Sequence, residues 1–149
     1  MKRIILTMII ILTVAVFFTG CDKKDDSKTS VEVKEAGEEG AIKIGISKIV
    51  AHPALDALEQ GIVEVVTAKY PDAEFDLQNA NGEMSTASSI AQKFKAEKVD
   101  LAVGIATPTA QALAQAITDV PVVFCAVTDP VDAGLITSTD KGEGNITGV

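Results

Sequence analysis

The sequence predicts an α/β fold: a Rossmann-like lobe on a parallel sheet, occupying residues 41–149. Three observations predict it. Apolar runs of strand length alternate with segments whose apolar residues recur at helical spacing. Two of those runs, residues 99–105 and 120–127, are apolar almost throughout, as strands buried on both sheet faces are. Prolines and small polar residues punctuate each change of period. The order strand, helix, strand, helix, strand, helix, strand calls for crossover connections and a sheet covered on both sides.

Each element has its own local reason. Ile42, Ile44 and Ile46 alternate with Lys43 and Gly45 as the first strand. Beyond Pro53, Leu55, Leu58, Ile62, Val65 and Val66 recur as one helical face, with Pro53 in the first turn and Pro71 closing the segment. Residues 73–78 read as the second strand. Ala87, Ile90, Ala91 and Phe94 then stand at i, i+3, i+4 and i+7, the apolar face of a second helix. After the run 99–105, Thr107 is expected to cap a third helix, with Pro108 at its first position and Ala110, Leu113, Ala114 and Ile117 inward. The run 120–127 follows, with Pro121 near its start. Residues 142–145 form a turn, and 146–149 open a further element.

Composition narrows the function. The chain has 149 residues, 13 Lys and Arg against 21 Asp and Glu, and a net charge of -8. That balance excludes a nucleic-acid backbone as partner, which needs surplus Lys and Arg. Hydrophobic residues at 47% and charged ones at 23% are globular proportions, not those of a disordered chain. Two cysteines make no disulfide framework, and one histidine leaves little for a zinc site. Neither metal nor cofactor is expected.

Residues 1–20 read as a secretory signal. Lys2 and Arg3 precede an apolar run from Ile4 to Phe18. As a helix that run rises about 22 Å, short of a ~30 Å hydrocarbon core. Phe18-Thr19-Gly20-Cys21 resembles the bacterial lipobox, with Phe18 where an aliphatic residue is usual. The resemblance implies diacylglyceryl modification of Cys21, which becomes the mature N-terminus on the extracytoplasmic side. Acyl chains at ~0.8 kcal/mol per buried CH₂ hold such a protein on the membrane without a spanning helix. An uncleaved N-terminal anchor is the alternative reading. Residues 21–40 form a charged tether: from Asp22 to Gly40, four Lys and seven Asp or Glu make eleven charges in nineteen residues, with no aromatic. Removing residues 1–20 takes Lys2 and Arg3, leaving 11 basic against 21 acidic residues, net -10.

Parallel α/β sheets bind ligands beyond the carboxyl ends of their strands. That rule selects residues 47–53, 78–85, 106–109 and 127–133, the polar, small-residue stretches of an apolar chain. The first holds Ser47 and His52. It has neither G-x-G-x-x-G nor G-x-x-x-x-G-K-[ST], so dinucleotide and P-loop chemistry lack their glycines. His52 is either a neutral helix cap or a ligand contact. The second carries the amide of Asn79 among turn residues, with Ser85 a candidate cap. The third, Ala106-Thr107-Pro108-Thr109, sets small residues at a helix start, where unpaired N–H groups suit an anion. The Thr107 and Thr109 hydroxyls are candidate further donors; with no cation nearby, one carboxylate suits the place better than a polyphosphate. In the fourth, Asp129 either accepts from an amino or hydroxyl group or serves as a turn residue before Pro130. Cys125 reads as inert packing, and the Asn145-Ile146-Thr147 sequon is discounted beside a bacterial-type signal. Ser47, His52 and Asp129 make a triad only on paper. No nucleophile elbow or metal motif supports catalysis, so an enzyme is not expected.

Several segments taken together resemble one family. Residues 43–56, Ser88-Ser89-Ile90-Ala91-Gln92-Lys93-Phe94, Ala106-Thr107-Pro108-Thr109-Ala110-Gln111 and 122–130 are similar to ABC-transporter substrate-binding lipoproteins of the tryptophan/tyrosine type. Gly144-Asn145-Ile146-Thr147-Gly148 is similar to the crossing into that family's second lobe. The resemblance implies a type I periplasmic-binding fold, two α/β lobes closing on a small solute, of which residues 41–149 are the N-terminal lobe without the second. It implies ligand contacts at Ser47, Asn79, Ala106, Thr107, Thr128 and Asp129, with His52 a weaker candidate. It also implies a small polar solute such as an amino acid, and ABC permease subunits as partners. A ligand-sensing domain of a signalling receptor is the competing function.

Overall fold

The computed structural model describes residues 41–149. The signal segment 1–20, the lipidation candidate Cys21 and the tether lie outside the described residues. Five strands form one parallel sheet: β1 (Lys43–Lys48), β2 (Glu74–Asn79), β3 (Leu101–Ile105), β4 (Val122–Cys125) and β5 (Ile146–Gly148). Helices α1 (Pro53–Lys69), α2 (Met84–Glu97) and α3 (Thr107–Ala116) connect them, and the strand order is β2-β1-β3-β4-β5. The chain steps from β1 out to β2 and then back across β1 to β3. Right-handed crossovers therefore put α1 on one face and α2 and α3 on the other.

The core follows that division. Ile44, Ile46, Val103, Ile105 and Cys125 pack with Leu55, Ile62 and Val66 of α1. Ala87, Ile90, Ala91 and Phe94 of α2 pack with Leu113 and Ala116 of α3 over Ala102 and Val122. Two glycines set the closeness of that second layer. A Cβ on Gly45 would stand 2.7 Å from the buried Phe94 ring, and one on Gly104 would stand 2.7 Å from the Ala110 Cα.

All four α2 positions chosen from periodicity are buried. In α1 the pattern is only partly right, because Leu58 is 39% and Val65 72% exposed. Among the described residues α1 is the one helix on its face, so apolar partners meet only the arc turned to the sheet. The inward position between Leu55 and Ile62 is taken by Glu59, which is buried and bonded to Lys48. Two strands are shorter than their apolar runs. Lys98 ends α2 in the left-handed region at φ 54, so Val99 is a buried link before β3. Ala126 at φ 55 turns the chain out of β4. Ser85 does not cap α2: Glu83 stands at the cap without a side-chain bond, and the Ser85 carbonyl accepts from Ser89 Oγ at 2.9 Å.

An ion pair ties edge strand β2 to α2. Lys93 Nζ bonds Asp76 Oδ2, and Gln78 donates to the other carboxylate oxygen. Burial alone would push the Asp76 carboxyl up, but the bonds from Lys93 and Gln78 and the Lys93 charge hold it below its usual range. A carboxylate with a depressed folded-state pKa stabilises above its unfolded pKa of ~3.9 and loses that contribution as pH falls through the folded value. Urea melts at pH 6 and pH 3 are expected to show wild type losing more stability than Asp76→Asn, by up to about 1 kcal/mol for a half-exposed pair. Equal losses would show that the pair contributes nothing.

Candidate functional site

The strand order reverses direction at β1. The connections leaving β1 and β3 depart to opposite faces, and the carboxyl edge between them is where sheets of this kind bind ligands. Ser47 closes on that edge from β1, Asn79 from β2, Ala106 and Thr107 from β3, and Thr128 and Asp129 follow β4. The topology therefore brings every ligand candidate chosen from sequence to one edge of the sheet. Their local geometry differs from expectation at several of them.

The helix start after β3 is the most constrained. Thr107 does not cap α3 but is its first residue; Ala106 is the cap, with φ 79 and ψ 156 and no side-chain bond. That region is essentially restricted to glycine and costs an alanine on the order of 1–3 kcal/mol. Four hydrogen bonds hold this turn. The Ala106 N–H donates to the Cys125 carbonyl at 2.9 Å, and the Ala106 carbonyl accepts from the Ala110 N–H at 3.1 Å. Thr109 Oγ1 donates to the Ile105 carbonyl at 2.7 Å and to the Ala106 carbonyl at 3.0 Å. Thr109 is 0% exposed, so its hydroxyl is a brace inside the turn and not a ligand donor. Pro108 has no N–H. The Thr109 N–H has no partner among the described residues but is buried with the rest of that residue, so the donors open to a ligand are the Thr107 N–H, also without a partner among the described residues, and the Thr107 hydroxyl.

Ser47 lies beside this turn in the sheet, in register with Gly104 of β3 and Gln78 of β2. Strand alternation turns its side chain to the α2–α3 face, with Gly45. It is 1% exposed, and its hydroxyl has no hydrogen-bond partner among the described residues. A buried hydroxyl without a partner is uncommon in a folded protein.

His52 is the cap of α1: its Nδ1 accepts from the Ala54 N–H at 3.2 Å. Asn79 Oδ1 accepts from the Asn81 N–H at 2.9 Å and shapes the turn before α2, where Asn81 takes φ 52. Asp129 Oδ1 accepts from the N–H groups of Val131 and Asp132 at 2.9 and 3.0 Å, which is the turn-residue role. Thr128 beside it is exposed. His52 and Asp129 are each engaged in their own turns, the Ser47 hydroxyl has no partner among the described residues, and no bond joins the three. Burial pushes the Cys125 thiol above its ordinary pKa, in keeping with inert packing. Asn145 Nδ2 donates to the carbonyls of Ile117 and Val120 at 3.1 and 2.6 Å, so its amide is part of the fold.

Two features escaped sequence reading. Ala106 gave no sign of a positive φ, because alanine, unlike glycine, does not announce one. Lys48 was passed over in its loop. Its Nζ lies 2.6 Å from Asp56 Oδ1 and 2.8 Å from Glu59 Oε1. Those carboxylates, eight and eleven residues on, were the available signal, legible only once the strand-to-helix turn folds them back.

A parallel sheet with a reversal point, an open helix N–H and small polar residues on its carboxyl edge is the arrangement on which α/β proteins bind ligands. Among such proteins, the chain belongs to the ABC transporter substrate binding protein family, whose model matches residues 43–149. It is 43% identical over 134 residues to the "Tyrosine-binding protein" of Clostridioides difficile (strain R20291), covering 87% of this chain and 39% of that protein. The crystal structure of an ABC domain in complex with L-Trp from Streptococcus pneumonia is 38% identical, with a TM-score of 0.70 over 74% of this chain and 38% of that one. The ligand-free, open structure of a substrate binding protein with adhesive properties from Clostridium difficile is 42% identical. Its TM-score is 0.69, over 72% of this chain and 38% of that one. The chain thus spans about two fifths of the length of the relatives it matches. Among the described residues, no helix is long and apolar enough to cross a membrane.

Proposed function

We propose that residues 41–149 form the N-terminal lobe of the solute-binding component of an ABC transporter, and that the solute is an amino acid. The observation that carries the reading is the Thr107 N–H, which has no partner among the described residues and is held at the reversal point of the sheet by the Ala106 turn. That N–H, the Thr107 hydroxyl and the helix dipole match one carboxylate. Asn79, Thr128 and Asp129 stand at the same edge and meet the polar end of the solute, with Asp129 facing its amine and Ser47 buried behind them. Relatives that bind tyrosine and L-Trp support an aromatic amino acid. Its ring then stacks chiefly on the second lobe: Phe94 and Phe124 are buried in the core, Phe75 packs half-buried against the α1 layer, and Tyr70 follows α1 at the opposite edge. The family gives no support to the signalling-receptor alternative.

In this reading residues 1–20 are a lipoprotein signal, Cys21 is acylated, and the charged tether holds the lobe on the extracytoplasmic face of the membrane beside its permease. Closing two lobes on the solute follows from the ligand binding the closed state better than the open one. Calorimetry on the full-length product of the gene encoding this chain tests it. L-Tyrosine or L-tryptophan is expected to bind at one site, and the corresponding amide, which lacks the carboxylate, about 10- to 100-fold more weakly. Failure of both amino acids to bind, or equal affinity for the amide, would contradict the proposal.

A further inference from the structure

We infer that Lys48 is a positioning residue that braces two ligand loops at once, an inference resting on the amino-acid-binding reading above. Lys48 is the last residue of β1, where the strand gives way to the loop leading into α1. Its side chain is 13% exposed and spans to two successive turns of α1, through Asp56 and Glu59. Its backbone points elsewhere. The Lys48 carbonyl accepts from the Ala80 N–H at 2.9 Å, and the next carbonyl, Ile49, accepts from the Gly82 N–H at 2.7 Å. One residue therefore joins the start of α1 to the turn carrying Asn79, beside Ser47.

The pairing is costly to build and specific in shape. Lysine is rarely sequestered, and here its ammonium stands close to the positive end of the α1 dipole. Hydrogen bonds from the Lys48 ammonium to Asp56 and Glu59 raise its pKa, so it stays charged. The second Glu59 oxygen is buried without a partner among the described residues, so the cluster is not arranged for maximal hydrogen bonding. An apolar side chain at position 48 would cover the sheet at lower desolvation cost. What it could not do is fix the last residue of β1 against α1 while that residue's carbonyl holds the next loop.

Hydrogen exchange and calorimetry on the full-length gene product test the inference. The first variant, Lys48→Met/Asp56→Asn/Glu59→Gln, removes the brace without leaving a buried charge unpaired. It is expected to unfold at a urea concentration close to wild type. Its Ala80 and Gly82 amides should exchange at least tenfold faster, while the core amide of Ala102, bonded to Pro121, is unchanged. Affinity for L-tyrosine or L-tryptophan should fall about tenfold. Lys48→Arg, which keeps a cation able to reach both carboxylates, is expected to restore exchange and affinity. Should the triple variant not fold, Glu59→Gln, which keeps the Asp56 bond, is read the same way, with a smaller acceleration at both amides. Unchanged Ala80 and Gly82 exchange in a folded variant overturns the inference. So does wild-type affinity in a variant whose loops exchange faster. If wild type binds neither amino acid, the functional reading fails, and the exchange arm still decides whether Lys48 braces the loops.

Discussion

Gly104→Ala is expected to destabilise the lobe by about 2–3 kcal/mol. In most strands the substitution would help slightly, since glycine loses more chain entropy on folding than alanine. Here the new Cβ would stand 2.7 Å from the Ala110 Cα and 2.8 Å from its nitrogen. Both are backbone atoms in the first turns of α3 and cannot swing aside as the end of a side chain would. Ala110 is also the residue whose N–H holds the Ala106 carbonyl. Relieving the clash therefore lifts the helix start that carries the donors. Urea denaturation checks the stability, with the melting temperature expected to drop roughly 8–15 °C. A variant within about 0.5 kcal/mol of wild type would mean that α3 does not sit on β3 as described.

Thr107→Pro is expected to weaken amino-acid binding about 10- to 100-fold while leaving folding stability within about 1 kcal/mol of wild type. Proline suits the first position of a helix, and the Thr107 N–H takes part in no bond that folding needs. Ala106 is extended in ψ, which a following proline tolerates. The substitution removes a donor and a hydroxyl together, and Thr107→Ala separates them by keeping the N–H. That control should bind within about tenfold of wild type, as loss of one neutral hydrogen bond implies. Calorimetry with L-tyrosine and L-tryptophan reads both variants. Equal affinity of Thr107→Pro and wild type would remove this helix start from the binding site.

The sheet and helices were legible because their signals are local and repeated. Ala87, Ile90, Ala91 and Phe94 face one way on any helix, and all four are buried. Leu58 and Val65 obey the same rule and are exposed, since periodicity tells which residues share a face and not how wide an arc the neighbouring layer covers. The polar segments at strand ends were legible through topology: a parallel sheet sends every strand's carboxyl end to one edge. Side-chain roles on that edge were less so. Thr109 read as an open donor because the sequence does not reveal that its hydroxyl folds back on the Ile105 and Ala106 carbonyls. The Lys48 brace needed two carboxylates distant in sequence to be recognised, and the Ala106 turn needed a dihedral angle.

The central claim is that the amide opening α3 receives the acidic group of the solute. A crystal structure of the full-length gene product with L-tyrosine or L-tryptophan bound tests it most directly. The account predicts a carboxylate oxygen about 3 Å from the backbone nitrogen of Thr107, with Ala106 still at positive φ. A carboxylate held by other residues, with that nitrogen turned to solvent or to the protein's own side chains, would contradict it.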